Sequence, residues 1–288
     1  AIPFHKKISA SSHLDNGRLK SFYEMEWRLS DTEKSMSAKQ SVDYVNAETV
    51  PLNEVYFHLY PNYFGEEASA PFEKMEMGKA YPNGFSPGGI TIEAVALNGQ
   101  KATCQTSQKG AVLCVELDQA LAPGDRTTLT FAYKVQLPDC TGRFGGVENT
   151  LQLCNAYPIA AVYDETGWNL DPYYAVGDPF YSDVADYTVR ITHPEAWFVA
   201  GTGNQSRAEK DGWVTTTFLC PDVRDVAYVG AKHFRTAEKM VNGVKVTSWY
   251  YGTDEGGQIA LDAACGALEC FSRMYGMYPY PTLAVIQS

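Results

Sequence analysis

The sequence predicts a mainly β protein: a large twisted β-sandwich or saddle-like sheet, followed by one helix and a short strand. Three observations support this prediction. Runs that alternate bulky and polar residues, rich in β-branched and aromatic side chains, recur between positions 21 and 251. Turn dipeptides such as Asn98-Gly99 and Asp211-Gly212 separate these runs. Only one stretch, 255–275, has the periodicity of a helix.

The predicted strands follow one another with short connections. Residues 21–29 alternate bulky and polar side chains, and residues 39–46 do the same. Since successive side chains of a strand point to opposite faces, each run indicates a strand that is buried on one face. Further strands are predicted at 53–60, 90–97, 111–117, 126–135, 185–193, 197–201, 213–220, 226–231 and 244–251.

The single predicted helix has clear end signals. Asp254 is a suitable N-cap, Gly276 suits the position after the last turn, and Pro279 and Pro281 prevent continuation. Its apolar residues form one stripe that needs a partner surface. The stripe consists of Leu261, Ala264, Cys265, Leu268, Phe271 and Tyr275.

The end of the chain predicts a second, incomplete domain. A short apolar strand is expected at 283–286, and it has little to pair with inside this chain. An unpaired strand tends to pair with another chain, so the tail is expected to be mobile, repacked or paired between molecules. We therefore divide the sequence into a β-domain, residues 1–234, and the start of another domain, residues 235–288.

Composition excludes several classes of function. The net charge of −11 works against general nucleic-acid binding, which requires the neutralisation of phosphates. No apolar stretch is long enough to span a membrane. The N-terminal residues contain no apolar core of a signal peptide, so the compartment cannot be read from them.

Seven cysteines leave at least one thiol unpaired. Cys104 and Cys114 flank a predicted hairpin turn at 107–110, so they either face each other across it as a disulfide or remain two free thiols. Cys265 and Cys270 lie five residues apart on the predicted helix and point in different directions, which argues against a bridge between them.

A search for catalytic motifs finds none in this chain. A helical zinc site of the form H-E-x-x-H needs two histidines four residues apart, and no pair of histidines has that spacing. We interpret the five histidines as packed or surface residues: His5, His13, His58, His193 and His233. Gly201-Thr-Gly203 is interpreted as a turn between strands, and the acidic pairs Asp183/Asp186 and Asp222/Asp225 as solvated turns.

Several stretches, taken in order, resemble the N-terminal domain of bacterial aminopeptidase N-like zinc metallopeptidases, which are gluzincins. The most specific is Gly177-Asp-Pro-Phe-Tyr-Ser-Asp-Val-Ala-Asp-Tyr187. The other stretches are Val55-Tyr-Phe-His-Leu-Tyr-Pro-Asn62, Gly142-Arg-Phe-Gly145, Leu153-Cys-Asn-Ala-Tyr-Pro158, Ala161-Val-Tyr-Asp-Glu-Thr-Gly-Trp168, Val223-Arg-Asp-Val-Ala-Tyr228 and Tyr275-Gly-Met-Tyr-Pro-Tyr-Pro-Thr-Leu-Ala-Val-Ile286.

The resemblance implies a zinc aminopeptidase for the whole protein, with peptide substrates and a thermolysin-like catalytic domain of which residues 235–288 are the start. The family's G-x-M-E-N segment and H-E-x-x-H motif do not occur here, so this chain by itself is expected to be inactive and to bind no metal. Its expected partner is the missing catalytic domain. Relatives that share the His58-Leu-Tyr-Pro61 sequence are often extracytoplasmic, which favours that location without deciding it.

The resemblance also implies two substrate-binding residues. In the family, a Glu or Gln on a loop of the N-terminal domain helps to hold the α-amine of the substrate, and the matching position is Asn155. Asn offers a neutral carbonyl oxygen where a carboxylate would form a charge-assisted bond, which is a departure from the family's pattern. Tyr157 is expected to line the same loop.

Two alternatives come from other classes of function. Exposed aromatic residues could form a flat platform for carbohydrate or another ligand, which titration with sugars would test. The candidates are Trp168, Tyr173, Tyr174 and Tyr181. A purely structural β-domain is the other alternative, and it predicts that no catalytic motif follows in the gene.

Overall fold

The computed structural model describes residues 14–15, 18–30 and 32–288, so the predictions for His5 and His13 fall outside the described residues. Up to residue 136 the strands are β1 (Leu14–Asp15), β2 (Arg18–Leu19), β3 (Phe22–Leu29), β4 (Ser35–Val45), β5 (Leu52–His58), β6 (Gly89–Leu97), β7 (Gln100–Lys101), β8 (Cys104–Ser107), β9 (Val112–Leu121) and β10 (Arg126–Gln136).

The later strands are shorter on average. They are β11 (Phe144–Gly145), β12 (Thr150–Leu153), β13 (Ile159–Ala160), β14 (Tyr163–Asp164), β15 (Gly167–Trp168), β16 (Ala185–Pro194), β17 (Phe198–Gly201), β18 (Asn204–Lys210), β19 (Trp213–Val223), β20 (Tyr228–Ala231), β21 (Arg235–Val241), β22 (Val244–Tyr250) and β23 (Thr282–Ile286). The described residues also form two α-helices, α1 (Met77–Ala80) and α2 (Asp254–Tyr275), and three short 3-10 helices at Tyr60–Phe64, Glu67–Ser69 and Gln108–Gly110. The prediction of a mainly β protein with one long helix is confirmed.

One eight-stranded sheet forms the largest layer, in the order β18-β19-β16-β3-β4-β10-β6-β7. Its strands are antiparallel neighbours except β3 and β16, which run parallel. Two four-stranded sheets, β13-β5-β9-β8 and β11-β12-β20-β17, accompany it. Alternation buries every second residue of the central strands: in β3 these are Tyr23, Met25, Trp27 and Leu29.

Aromatic contacts join these sheets into one core. Phe57 of β5 packs edge-to-face on Phe131 of β10, with ring centroids 4.8 Å apart. Trp27 of β3 contacts Tyr228 of β20 at 5.7 Å, and its indole nitrogen donates to the Tyr133 hydroxyl at 3.1 Å. Burying large aromatic side chains at these geometries is the main source of stability that a sandwich of this kind has.

The turn after β17 is confirmed as a strand-to-strand connection. Gly203 has φ +96°, and a Cβ there would lie 2.4 Å from the Cys220 sulfur and 2.7 Å from the Leu219 carbonyl oxygen. Only glycine satisfies both conditions, so this glycine serves β-sheet geometry and does not belong to a nucleotide loop.

The C-terminal residues form a small layer of their own. Strands β21, β22 and β23 make a three-stranded sheet, with β22 and β23 parallel. The expectation that the terminal strand has little to pair with was therefore wrong, because β22 offers its free edge to it. Helix α2 buries Leu261, Cys265 and Leu268 against valines of β21 and β22.

Two details of the helix differ from the prediction. Thr253, and not Asp254, is the N-cap, because its hydroxyl accepts from the backbone nitrogen of Gly256 at 3.1 Å. The predicted stripe is buried only in its first part: Phe271 is 57% exposed and Tyr275 is 78% exposed.

The cysteines are free thiols throughout. In the hairpin of β8 and β9, Gln105 lies opposite Cys114, and Cys104 lies opposite Val115. This offset by one residue turns the Cys104 and Cys114 side chains to opposite faces, so they cannot form a disulfide.

Candidate functional site

The loop that follows β12 carries the two predicted substrate-binding residues. Asn155 adopts φ +53°, a left-handed conformation that Asn tolerates better than most residues. It is 4% exposed, and its side-chain nitrogen donates to a carboxylate oxygen of Asp225 at 3.2 Å. The positive φ bends the chain so that Asn155 meets a residue 70 positions away.

Asp225 supplies the negative charge that Asn155 lacks. It follows β19 and is half-buried. Burial raises the pKa of its carboxyl group, while the hydrogen bond from Asn155 lowers it in part. Its charge also contributes to a raised pKa of the Cys154 thiol, about 11, of which burial is the main cause. The sequence interpretation of Asp225 as a solvated turn residue was therefore wrong, because β12 and β19 meet here.

Tyr157 lies deeper than Asn155. It is fully buried, and its ring contacts Trp27 at 6.1 Å and Tyr187 at 6.2 Å. Burial holds the pKa of its hydroxyl well above the usual range, and that hydroxyl has no hydrogen-bond partner among the described residues. Tyr157 anchors the Asn155 loop to the core, and its contact with a substrate stays a prediction.

An irregular segment, residues 169–184, packs beside this loop. Tyr173 and Phe180 contact each other at 4.9 Å, and each contacts Tyr60. The Arg143 guanidinium pairs with Asp178 at 3.1 Å and lies 5.3 Å from the Phe180 ring. The segment therefore holds a cation, Arg143, and an anion, Asp178, near the Asn155–Asp225 pair.

The aromatic platform for carbohydrate is not assembled as expected. Tyr173 packs into the cluster around Tyr60, and Trp168 packs against Tyr56 at 5.4 Å and Tyr163 at 5.3 Å. Tyr174 and Tyr181 remain substantially exposed, at 52% and 45%. Flat stacking surfaces need several rings in one plane, and two of the four candidates are engaged in edge contacts within the protein.

The described residues do not form a metal site. No three His, Cys, Asp or Glu side chains within 14–15, 18–30 and 32–288 lie close enough to hold an ion together. His58 contacts the Asn169 carbonyl oxygen at 3.2 Å, and His193 contacts the Pro194 carbonyl oxygen at 3.0 Å and the Thr216 hydroxyl at 3.1 Å. Both are buried, and burial lowers the pKa of each, so both fit the interpretation as structural histidines. No catalytic step through zinc follows from these residues.

Another polar group was not foreseen from the sequence. Lys20 is 6% exposed, and its ammonium contacts the carboxylates of Asp186, at 3.1 Å, and Asp222. The Asp222 carbonyl oxygen in turn accepts from the Tyr280 hydroxyl at 2.6 Å. The interpretation of Asp186 and Asp222 as solvated turn residues was therefore wrong, since their ion pairs with Lys20 link β16 and β19, and the hydrogen bond from Tyr280 adds the C-terminal segment.

The part of the chain that the structure describes contains no helix long and apolar enough to cross a membrane. No family model matches the chain, and no curated protein is similar to it in sequence.

Solved structures of similar fold include M1 zinc metallopeptidases. A crystal structure of such an enzyme from Deinococcus radiodurans aligns with a TM-score of 0.62 and 17% identity, over 93% of this chain and 56% of that one. A mutant from the same organism bound to a Tyr-Ser-Ala substrate aligns with a TM-score of 0.60 and 17% identity, over the same shares. A two-domain M1 mutant bound to L-arginine aligns with a TM-score of 0.60 and 18% identity.

At this identity the likeness shows the fold. This chain has the fold of the part of those metallopeptidases with which it aligns, and it spans about half of their length, 56%.

Proposed function

We propose that this chain is the front part of a zinc-dependent aminopeptidase, with a non-catalytic β-domain at 1–234 and the start of a thermolysin-like catalytic domain at 235–288. One observation supports the proposal: the fold of M1 zinc metallopeptidases extends over 93% of this chain, which is a larger share than the proposed β-domain alone. In this proposal, zinc and the peptide-cleaving residues belong to the sequence beyond Ser288, and the β-domain forms one wall of the active-site chamber.

The surface of α2 supports a partner domain. Its C-terminal end leaves several large apolar residues in contact with water, and soluble proteins seldom expose such a patch without a partner for it. The exposed residues are Phe271, Met274 and Tyr275 of α2 and Met277 just after it. In this proposal, the rest of the catalytic domain covers these apolar residues.

The first test is to read the coding sequence beyond codon 288. We expect a G-x-M-E-N-like segment and then H-E-x-x-H within about a hundred codons, because the glutamate and two histidines on one helix face form the catalytic zinc site. A frame that stops there, or continues without these motifs, would overturn the proposal. In that case a ligand-binding or structural β-domain becomes the leading account.

The site residues are proposed to act together on the substrate's free amine. Asp225 carries the charge, and Asn155 holds its carboxylate through the 3.2 Å hydrogen bond. A half-buried carboxylate whose hydrogen-bond partner is a neutral amide is suited to an ammonium group. Tyr157 is assigned the packing support of this loop.

Kinetics of the full-length protein test this assignment. We expect Asp225→Asn to raise KM for an aminoacyl-p-nitroanilide by about tenfold or more, the value of one charge-assisted hydrogen bond. Asn155→Ala should have a smaller effect in the same direction. Asp118→Asn, on the exposed face of β9, is the matched control and should change nothing. Unchanged KM and kcat in both site variants would remove the amine-binding role while leaving the coding-sequence test intact.

A further inference from the structure

Two hairpins of the molecule turn on the same pair of residues, an asparagine followed by a glycine. Asn98-Gly99 joins β6 to β7, and Asn242-Gly243 joins β21 to β22. The φ angles are +50° and +83° in the first turn and +50° and +82° in the second. Two positive φ angles in a two-residue loop define a type I′ turn, which favours Asn-Gly. The two turns therefore have the same backbone conformation.

The two turns are also equally open to solvent. All four residues are exposed, and a Cβ built on either glycine would meet nothing within 4 Å. A glycine nitrogen is not shielded by a side chain, so it can approach the side-chain carbonyl carbon of the asparagine before it. Neither access nor backbone conformation distinguishes the two asparagines, and a difference between them has to come from their side chains.

The side chain of Asn98 is held by hydrogen bonds to β10. Its Oδ1 accepts from the backbone nitrogen of Thr128 at 3.0 Å and from the hydroxyl of Thr127 at 3.2 Å. The backbone nitrogen of Asn98 donates to the Thr128 carbonyl oxygen at 2.8 Å. For the side-chain carbonyl carbon to reach the Gly99 nitrogen, the side chain must rotate and break both bonds to its oxygen.

The side chain of Asn242 has no such restraint. It forms no hydrogen bond with any residue in the described part of the chain. The neighbouring residues Val241 and Val244 face each other as partners across the hairpin, so the turn is closed by its backbone alone. Rotation of the Asn242 side chain towards the Gly243 nitrogen therefore breaks no hydrogen bond.

We propose that Asn242 is a site of spontaneous deamidation and that the same reaction at Asn98 is suppressed by Thr127 and Thr128. The Gly243 nitrogen forms a bond to the side-chain carbonyl carbon of Asn242, and its proton goes to the amide nitrogen, which leaves as ammonia. Water then opens the cyclic imide at either carbonyl and gives aspartate or isoaspartate, with no oxidation or reduction. The proposal does not depend on the aminopeptidase assignment.

Isoaspartate at this turn should loosen the C-terminal layer. Val241 and Val244 are 5% and 3% exposed, and they belong to the same core as Leu261 of α2. Isoaspartate carries the main chain through the side chain and adds one methylene to the backbone between the two valines. The hairpin cannot then keep both its register and the burial of the two valines against α2.

Storage of the 288-residue chain in mildly alkaline buffer at physiological temperature tests the proposal. Peptide mapping by mass spectrometry measures the conversion of each asparagine over time. In the folded chain, Asn242 should react at least about tenfold faster than Asn98, because two hydrogen bonds hold Asn98. In urea the two rates should become similar, since a glycine follows each asparagine. Asn83-Gly84 in a loop and Asn16-Gly17, outside the described residues, are read as separate peptides.

Two neighbouring threonines provide a variant and its matched control. Thr127→Val removes the hydroxyl donor and should speed the reaction at Asn98 by about fivefold, the effect of one neutral hydrogen bond. Thr128→Val keeps the backbone donor, and its side chain is exposed, so the rate at Asn98 should not change. The rate at Asn242 in the same sample shows whether a variant has lost its fold, because unfolding would alter both sites.

Several results would overturn the proposal. Reaction at Asn98 as fast as at Asn242 in the folded chain would do so, and so would an Asn242 that reacts in urea but stays intact in the folded chain. Equal acceleration by Thr127→Val and Thr128→Val would contradict the restraint by hydrogen bonds. After storage, the helical circular dichroism signal should be lost at a lower urea concentration in the wild type than in Asn242→Gln, and identical transitions would exclude the loosening of α2.

Discussion

The sandwich and the C-terminal layer differ in how completely they bury their own apolar side chains. In the sandwich, one continuous core extends through all three large sheets, and its largest aromatic residues, Trp27, Tyr133 and Tyr228, are fully buried. In the C-terminal layer, the core between α2 and its sheet consists of six buried residues, while Phe271 and Tyr275 on the same helix face water. A layer buries an apolar face only where another element covers it, so the second region leaves part of its apolar surface in contact with water.

The largest expected effects separate the stabilities of the two regions. Trp27→Ala should lower the free energy of unfolding of the sandwich by about 3–5 kcal/mol, because it leaves a large cavity and removes the donor to Tyr133. Leu261 lies at an equally buried position of α2. In Leu261→Ala, the helical circular dichroism signal should be lost at a lower urea concentration, while the free energy of unfolding of the sandwich should change by less than about 0.5 kcal/mol. Urea unfolding followed by circular dichroism and by tryptophan fluorescence measures both.

The comparison fails if the two substitutions lower one common midpoint together. That result would mean that the small core of α2 and the large core unfold as one cooperative unit.

The next effect concerns the ion pair that Lys20 forms inside the sandwich, next to the hydrogen bond from Tyr280 of the C-terminal region to Asp222. Lys20→Met should cost about 2–3 kcal/mol, because it leaves the carboxylates of Asp186 and Asp222 without their cation in a partly buried place. The cost is reduced because the Asp222 side chain is 38% exposed. Lys134→Met is the matched control: its pair with Glu93 lies at the surface, where solvent screens it, so its loss should change stability much less. Equal losses in the two variants would contradict the buried character of the first pair.

A smaller effect follows from histidine. The pKa of His58 and His193 is lowered in the folded state by burial, so the unfolded chain binds more protons in mild acid. Their contribution to stability is therefore complete above the unfolded pKa, near 6.5, and is lost as the pH falls from there through the lowered folded pKa. Residues 235–288 contain no histidine. The sandwich should therefore lose stability as the pH falls below about 6.5, and the α2 signal should show no such histidine effect.

His193→Gln isolates this contribution, since it removes the titrating group and leaves the carboxyl groups in place. The slope of the unfolding free energy against pH should become flatter for the sandwich and stay the same for the α2 signal. An unchanged slope would show that His193 is not buried in its neutral form.

The smallest effect is expected on the exposed end of α2. Phe271→Ser should change the stability of this chain by less than about 0.5 kcal/mol, because the ring is already in contact with water. It should also reduce self-association, which analytical ultracentrifugation measures. A loss of more than 1 kcal/mol would indicate that this residue packs inside the chain, and the comparison of the two regions would have to be revised.

Most of the strands could be predicted because apolar and polar residues alternate along them in step with burial. Strands β3, β4 and β10 alternate with period two, and their alternation survives in the burial of every second residue. Strand β18 could not be found in this way, because all seven of its residues are exposed and its order comes only from pairing with β19. Strand β21 was missed for the same reason, since it has one fully buried residue.

Much less of the candidate site than of the fold could be predicted from the sequence. Asn155 and Tyr157 were selected through a family resemblance, and their substrate roles stay predictions. Asp225 and the Lys20–Asp186–Asp222 group have no signal in the sequence, because their members lie 36 to 202 positions apart. These residues come together only where three strand ends meet in the folded chain, so no sequence pattern connects them.

The sequence by itself determined the class of fold, the place of the one long helix and the absence of the H-E-x-x-H motif, because alternation, helical spacing and motif spacing are local properties of the chain. The tertiary structure alone decided that the terminal strand has a partner in β22, that Cys104 and Cys114 face apart, and that Asn155 meets Asp225. Each of these features depends on strand register or on which strand ends lie next to each other. They are fixed by long-range pairing, in which a shift of one residue exchanges the two faces of a strand.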